Sequence, residues 1–379
     1  MPFATIDLTK GITGVLPSAN ATYSTPRLNA QPLIINGDMA VAQRGTSTGI
    51  TTPGYYACDR FQTAIGNLAT WTISQDSDVP SGYGFANSLK LDCTTADASP
   101  STGDVLIVRQ RFEGQDVQLL KKGTSSAEKV TVAFWIKATK TGTNILELFD
   151  RDNSRTISQS YTISSSNTWE YKVINFSADT TGALDDDNNL SFEIAWWLGS
   201  GTDYTSGTLQ TSWGSQTDAD RAVGQVNHGD STSNNVFITG VQMEVGEYTS
   251  ATLPPFQHES YGDNLARCQR YFYKIGEAYK GLCTAWTPSG TEVGTQLYFP
   301  VTMRSTPSVT VDASNFEFRR SNNSSYTLTD DTPAMSFVTP EGGSMWFSEG
   351  SVGNSAGSNV GIVRSISSAN DHFKFNAEL

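Results

Sequence analysis

Histidine is scarce, runs of cations are missing, and no apolar stretch is long enough to cross a bilayer. Each absence removes a class of function. The 379 residues include three histidines, and His228, His258 and His372 stand in no recognisable catalytic pairing. Lys plus Arg number 25 against 38 Asp plus Glu, for a formal net charge of -13. Phosphate contacts need clustered cations, so no nucleic-acid partner is expected. Without a run of about 18 apolar residues, membrane insertion is not expected either. The start, MPFATIDLTKGITGVL, lacks a basic segment leading into an apolar core, so the expectation is synthesis in a cytosol. Four cysteines, Cys58, Cys93, Cys268 and Cys283, show no C-x-x-C spacing. Free, buried thiols are therefore expected rather than a zinc site or a disulfide framework.

What is abundant points to an all-β protein. Glycine at 33 residues, aromatics at 11% and charged residues at only 17% suit short strands joined by polar turns, and long helical periodicities are missing. The length allows two or three domains. Period-two alternation places strands at Ser88 to Asp92, at Asp104 to Phe112, and at Val130, Val132, Phe134 and Ile136 set against Thr131, Trp135 and Lys137. Trp169, Tyr171 and Val173 alternate with Glu170 and Lys172. Leu190, Phe192, Ile194 and Trp196 oppose Ser191, Glu193, Ala195 and Trp197. VFITGVQMEV, with a one-step slip at Gly240 that predicts a bulge, closes a series of about eight strands, the number expected of a two-sheet sandwich. After Gly276 the pattern restarts with short strands separated by turns, predicting a second, smaller β-domain.

Between the two lies a helix signal. Pro254 and Pro255 bar a helix, then Ser260 and Asp263 give the S-x-x-D spacing of a capped start. Tyr261, Leu265, Cys268 and Phe272 follow at spacings of 4, 3 and 4, one apolar stripe of a helix predicted to end at Gly276. That stripe is either packed within its own domain or a contact between subunits.

Chemistry-bearing motifs are weak. Gly45 to Gly49, GTSTG, has the letters of a serine-hydrolase elbow but sits in a turn-rich stretch and is read as a loop. Asp185, Asp186 and Asp187 lack EF-hand spacing, so a solvated turn is expected and no metal or other cofactor. No pair among the acids stands out as a glycosidase couple, so an enzyme is not expected. Exposed aromatics can stack on a pyranose face, and the candidates are Trp197, Tyr204 and Trp213 in the sandwich with Tyr326 and Trp346 in the last domain.

VQMEVG followed by PFQHESYGDNLARCQRYFYK resembles a segment of bacteriophage tail-fibre and related virion proteins. INGDMAVAQRG with YACDRF resembles the opening of their jelly-roll domain and, more distantly, the N-G-D-F start of carbohydrate-binding modules. GITGVLPSAN resembles the amino termini of phage fibres, and FPVTMRSTPSVTV with FKFNAEL resembles the distal domains of marine-phage fibres. The resemblance implies an extended particle-anchoring segment at 1–30, a jelly-roll-like β-sandwich at 31–258, a junction helix at 259–276 and a distal β-domain, again a small sandwich, at 277–379. Anchoring to other virion proteins would fall to Phe3, Ile6, Leu8, Ile12, Val15 and Leu16, a segment that could order on a partner. It also implies a structural virion protein made in the host cytoplasm, a homotrimer that meets a host-surface glycan or receptor, with Tyr261, Leu265, Cys268 and Phe272 as the first place for a three-fold contact. A non-catalytic carbohydrate-binding protein, or a glycan-degrading tail spike, are the alternatives. Many carbohydrate-binding jelly rolls hold calcium through an I-D-D-V-like last strand; here Ile238 to Val241 reads I-T-G-V, so Thr239 and Gly240 stand where those acids would be.

Overall fold

The computed structural model describes residues 32–276, 281–311, 316–320, 324–328, 334–349, 359–365 and 373–379. The anchor positions Phe3, Ile6, Leu8, Ile12, Val15 and Leu16 lie outside the described residues. The alternating segments pair into two antiparallel sheets. The first is six-stranded, in the spatial order Ser47–Ile50, Thr70–Asp76, Ser88–Thr95, Asn235–Val245, Val130–Ala138, Glu170–Phe176. The second is seven-stranded, in the order Gly214–Ser215, Arg155–Ile163, Gly142–Asp150, Leu190–Ser200, Val105–Glu113, Gln62–Gly66, Gly54–Tyr55. Their facing sides form one core in which Trp71, Phe134, Trp196 and Ile238 are fully buried. Burying a large apolar side chain of this kind contributes roughly 1.5–3 kcal/mol.

The second sheet is covered on its other side as well. Leu190–Ser200 sends Phe192, Ile194 and Trp196 into the main core, while Ala195 and Trp197 join Ile107, Ile145 and Ala222 in a separate cluster. This double covering explains why Gly142–Asp150 gives no period-two signal: every residue from Asn144 to Asp150 is buried, as in strands with no solvent face. Ser47–Ile50 is a correction to the loop reading of GTSTG, since it pairs with Thr70–Asp76 as an edge strand. All four cysteines are free, and Cys58, Cys93 and Cys268 are buried.

Ser260 caps the helix as its spacing predicts, its Oγ accepting from the Asp263 N–H at 3.2 Å. The helix runs only over Tyr261–Gln269, however, and Phe272–Ile275 is a strand. The sequence FYKI has β-branched and aromatic character, and its backbone is claimed by Phe373–Asn376, about a hundred residues later, through antiparallel pairing of Phe272 with Asn376 and Ile275 with Phe373. The expected stripe is therefore corrected. Cys268 and Phe272 are buried within the same chain, Cys268 in a cluster with Ile35, Val41 and Tyr271, and Leu265 packs against that cluster. Only Tyr261 of the four is exposed, at 61%.

Beyond the helix, Phe272–Ile275, Phe373–Asn376 and Ser308–Val311 make a three-stranded sheet. A seven-stranded sheet follows the order Ser325–Thr327, Phe316–Arg320, Asn359–Ser365, Gly281–Ser289, Glu292–Tyr298, Gly342–Ser348, Ala334–Thr339. Phe373 and Phe375 of the smaller sheet share a core with Phe316, Phe318 and Phe347 of the larger, and the Phe316 and Phe373 rings stack at 4.4 Å. Sandwich-like packing thus recurs in the second domain.

The end of the chain returns to the first sandwich. Glu378 forms an ion pair with Arg60 and a second with Arg44 at 3.0 Å. The Arg60 guanidinium lies 3.4 Å from the centre of the Tyr271 ring and donates to the Arg111 carbonyl at 2.6 Å. Glu113, fully buried, accepts from Tyr271 at 2.6 Å and from Arg270 at 2.7 and 2.6 Å.

Candidate functional site

The aromatic residues singled out from the sequence do not form one surface. Trp197 is fully buried, which corrects its reading as a ligand contact: its indole N–H donates to Glu147 at 3.2 Å, Arg221 clamps the same carboxylate through two bonds of 2.8 Å, and Tyr204 packs on its ring at 5.3 Å. The segment between Gly201 and Ala222 folds over this face and seals it. Trp213 is half-buried and donates to the Ser177 carbonyl at 2.8 Å, with Lys122 5.1 Å from its ring centre. In the second domain the Tyr326 ring lies 4.4 Å from the Arg320 guanidinium, and Trp346 meets Trp286 edge-on at 5.5 Å.

Aromatic side chains converge instead on the outer face of the first sheet. Trp135 and Tyr171 are directly paired across neighbouring strands, on the face opposite the core residues Phe134 and Ile136. Their rings are 5.1 Å apart with a 36° tilt. Tyr83, from the loop before Ser88–Thr95, lies 4.3 Å from Trp135. Phe85 packs against Phe256 at 5.0 Å and against His258 at 5.3 Å. With Leu253, Pro254 and Pro255 along one side, these residues line a cleft of about 490 Å³, a size in the range of small-molecule sites.

Backbone chemistry shapes the floor. Asn235–Val245 bulges between Thr239 and Gln242 against Val130–Ala138, as the slip at Gly240 predicts. Gly240 has a φ of 60°, and a Cβ there would come within 2.6 Å of the Phe85 ring and 3.0 Å of Trp135. Only glycine takes that conformation and leaves room for both rings. Thr239 donates to the Asn87 carbonyl at 2.7 Å, and Gln242 donates to the Pro254 carbonyl at 3.0 Å, which ties the proline segment to the sheet.

Among the described residues no Asp, Glu, Lys or Arg lines the cleft, and Tyr83, Tyr171 and His258 are its titratable groups. Burial, and then the nearby Glu244 carboxylate, raise the Tyr171 hydroxyl above its ordinary range; it stays a neutral donor at physiological pH. The Trp135 indole N–H and the hydroxyls of Tyr83 and Tyr171 have no partner among the described residues. The site therefore offers aromatic faces beside uncharged hydrogen-bonding groups. Among the described residues no group of three or more His, Cys, Asp or Glu side chains could hold a metal. A second depression of about 210 Å³, lined by Leu33, Val241, Met243, Glu128 and Glu244 among others, contains no pair of stacked rings.

No protein-family model matches the sequence, and no curated protein matches it. Similarity to solved structures is distant. One is the enzymatically active domain of a tailspike protein of bacteriophage CBA120, with a TM-score of 0.30 and 13% identity over 56% of this chain, which spans 21% of that one. Another is a family 11 carbohydrate-binding module from Clostridium thermocellum, with a TM-score of 0.28 and 11% identity over 53% of this chain and 96% of the module. A family 22 module, also of Clostridium thermocellum, gives 0.27 and 9% over 54% of this chain and 98% of its own. At these scores the neighbours carry no argument about the ligand of this chain.

The cleft was half legible. Trp135 alternates out of the core face in the sequence, but Tyr171 stands there in the apolar set with Trp169 and Val173; the structure corrects that set, pairing Tyr171 with Trp135 on the outer face while Ile174 packs on the core. Tyr83, Phe85, Phe256 and His258 come from loops whose meeting no local pattern announces.

Proposed function

We propose that the chain is a non-catalytic recognition protein whose first sandwich binds a sugar ring against Trp135 and Tyr171. The observation that carries this reading is the pairing of those two rings on the outer face of the sheet, where a core has no use for them. A pyranose presents an apolar C–H face to such rings, while the Trp135 indole N–H, the Tyr171 hydroxyl and the Gln242 amide suit its hydroxyl groups. A sugar-cleaving spike would need two carboxylates facing one ring, and among the described residues the lining has neither Asp nor Glu.

The resemblance of residues 236–274 to phage fibre proteins supports the wider reading: an external appendage of a bacteriophage, a tail fibre or similar. It would be made in the host cytoplasm, attached through residues 1–30 and turned toward a host-surface glycan through its β-domains. A homotrimer is part of this proposal, and its contact would have to use faces other than the helix stripe that Cys268 and Phe272 bury. Light scattering on the full chain is expected to give three copies; a monomer would remove the fibre reading while leaving the cleft untouched.

The test of the cleft is Trp135→Ala in the full chain, measured on a printed array of neutral oligosaccharides and on host cells. Loss of a central stacking ring is expected to weaken binding at least about tenfold. Unchanged binding with retained circular dichroism would overturn the assignment.

A further inference from the structure

We propose that Tyr83 competes with the sugar for the face of Trp135, so that the loop tip Gly82–Gly84 must swing aside before a ring can stack there. This rests on the carbohydrate reading of the cleft and adds to it the residue that sets affinity and rate of entry.

Three observations point the same way. Tyr83 is 57% exposed although it is a large aromatic, and its ring contact among the described residues is with Trp135, at 4.3 Å and 50°. Its hydroxyl has no partner among those residues, so nothing polar fixes the ring in place. Gly82 and Gly84 flank it with φ of 84° and 83°, a conformation glycine enters and leaves without the penalty a Cβ brings. A Cβ at Gly82 would meet nothing within 4 Å, and one at Gly84 would meet only the exposed His258 ring.

The tip is free between two fixed points. Asp78 pairs with Lys137 and accepts from the Trp169 indole at 2.9 Å, Pro80 is buried, and on the other side Phe85 is held between Phe256 and His258. Movement about the two glycines therefore shifts Tyr83 alone and leaves the cleft walls standing. A ligand that must displace it binds with an affinity reduced by the fraction of chains in which Trp135 is uncovered. One aromatic contact of this type corresponds to a change of about threefold to tenfold. The class admitted is an uncharged sugar ring, because among the described residues no Lys or Arg lines the cleft, the neighbouring Lys137 is taken up by Asp78, and the chain as a whole carries a net charge of -13.

The experiment compares the wild type, Tyr83→Ala and Trp135→Ala, each as the full chain, for binding to immobilised cellotriose, galactotriose and diacetylchitobiose. Expected is tighter binding by Tyr83→Ala, about threefold to tenfold, with faster association, and loss of binding by Trp135→Ala. If Trp135→Ala loses binding but Tyr83→Ala binds no better than wild type, Tyr83 is a wall of the site and the competition is overturned. If Trp135→Ala binds like the wild type, or none of the three sugars binds, the carbohydrate reading falls. The ring contact is tested without a sugar by acrylamide quenching of Trp135, isolated as the difference from Trp135→Phe. Tyr83→Ala should raise that quenching, and equal quenching overturns the proposal whatever the sugars do.

Discussion

Replacing Glu378 by alanine is expected to destabilise the protein by about 3–5 kcal/mol, the range for removing one partner of a buried ion pair. The side chains of Arg60 and Glu378 are 1% and 5% exposed, so water cannot take over the role of the missing carboxylate. Burial by itself would favour a neutral Arg60; the charge of Glu378 outweighs it and holds the guanidinium firmly protonated. Without Glu378 that charge stays in place with the Tyr271 face and the Arg111 carbonyl as its remaining contacts, and Arg44 loses one of its two carboxylates. Glu378→Gln keeps the shape and one acceptor and should fall between wild type and alanine. Urea unfolding followed by intrinsic fluorescence measures the difference; a change below about 1 kcal/mol, the scale of an exposed pair, would contradict the burial argument.

Acid should act on a different part of the sandwich. His228 is fully buried, with Nε2 2.7 Å from Asn144 Oδ1 and no partner for Nδ1. Burial first, and then the charge of Lys140, lower it to about 4, against a smaller opposite pull from Asp230. An unfolded histidine takes up its proton near 6.5. Between these values the unfolded chain binds more protons than the folded one, so stability rises with pH. Read downward, the chain loses about 1.4 kcal/mol per unit below 6.5 and roughly 3 kcal/mol in all near pH 4.

His228→Gln keeps a donor for Asn144 and removes this dependence. Asp59 works in the opposite sense. Burial, opposed by Arg44 and Gln43, raises its carboxyl to about 6, so its contribution is present below the ordinary carboxylate range and lost as pH rises through 6. Comparing wild type with His228→Gln at pH 7.5 and pH 4.5 cancels that common part. The wild type should lose about 2–3 kcal/mol more than the variant; equal losses would show that the ring is protonated without penalty.

How far these features could be read in advance depends on how local their causes are. The Ser260 cap and the Gly240 bulge need only a few neighbouring residues, and both appear where the sequence puts them. Phe272 looked helical because its spacing from Cys268 is right, yet its backbone partner is Asn376, and no pattern around residue 272 reveals that. Trp197 looked like a binding ring because it stands beside the loop LGSGTDYTSGTLQTSWG and alternates out of the set Leu190, Phe192, Ile194 and Trp196. The second sheet turned out to have a second covered side, with Glu147 and Arg221 beneath the folded-over segment. Trp135 stood in the same kind of outward register and is the one that meets solvent. Alternation separates the two faces of a strand but does not tell which of them a distant loop will cover.

The pairing of Phe272–Ile275 with Phe373–Asn376 has a consequence for how such a chain can diversify. The polypeptide leaves the first sandwich and comes back to it along two hydrogen-bonded neighbours, and between them Arg304 reaches back to the Asn188 carbonyl of that sandwich and to the carbonyls of Ala377 and Glu378. Whatever is spliced between Ile275 and Phe373 begins and ends at adjacent points, and the cleft on the far sheet face keeps its surroundings, while the turn that carries Glu378 keeps its own only where Arg304 is retained. Recombination there would give new surfaces on an unchanged base wherever Arg304 and the strand Ser308–Val311, which pairs with Phe373–Asn376, are carried over with the base.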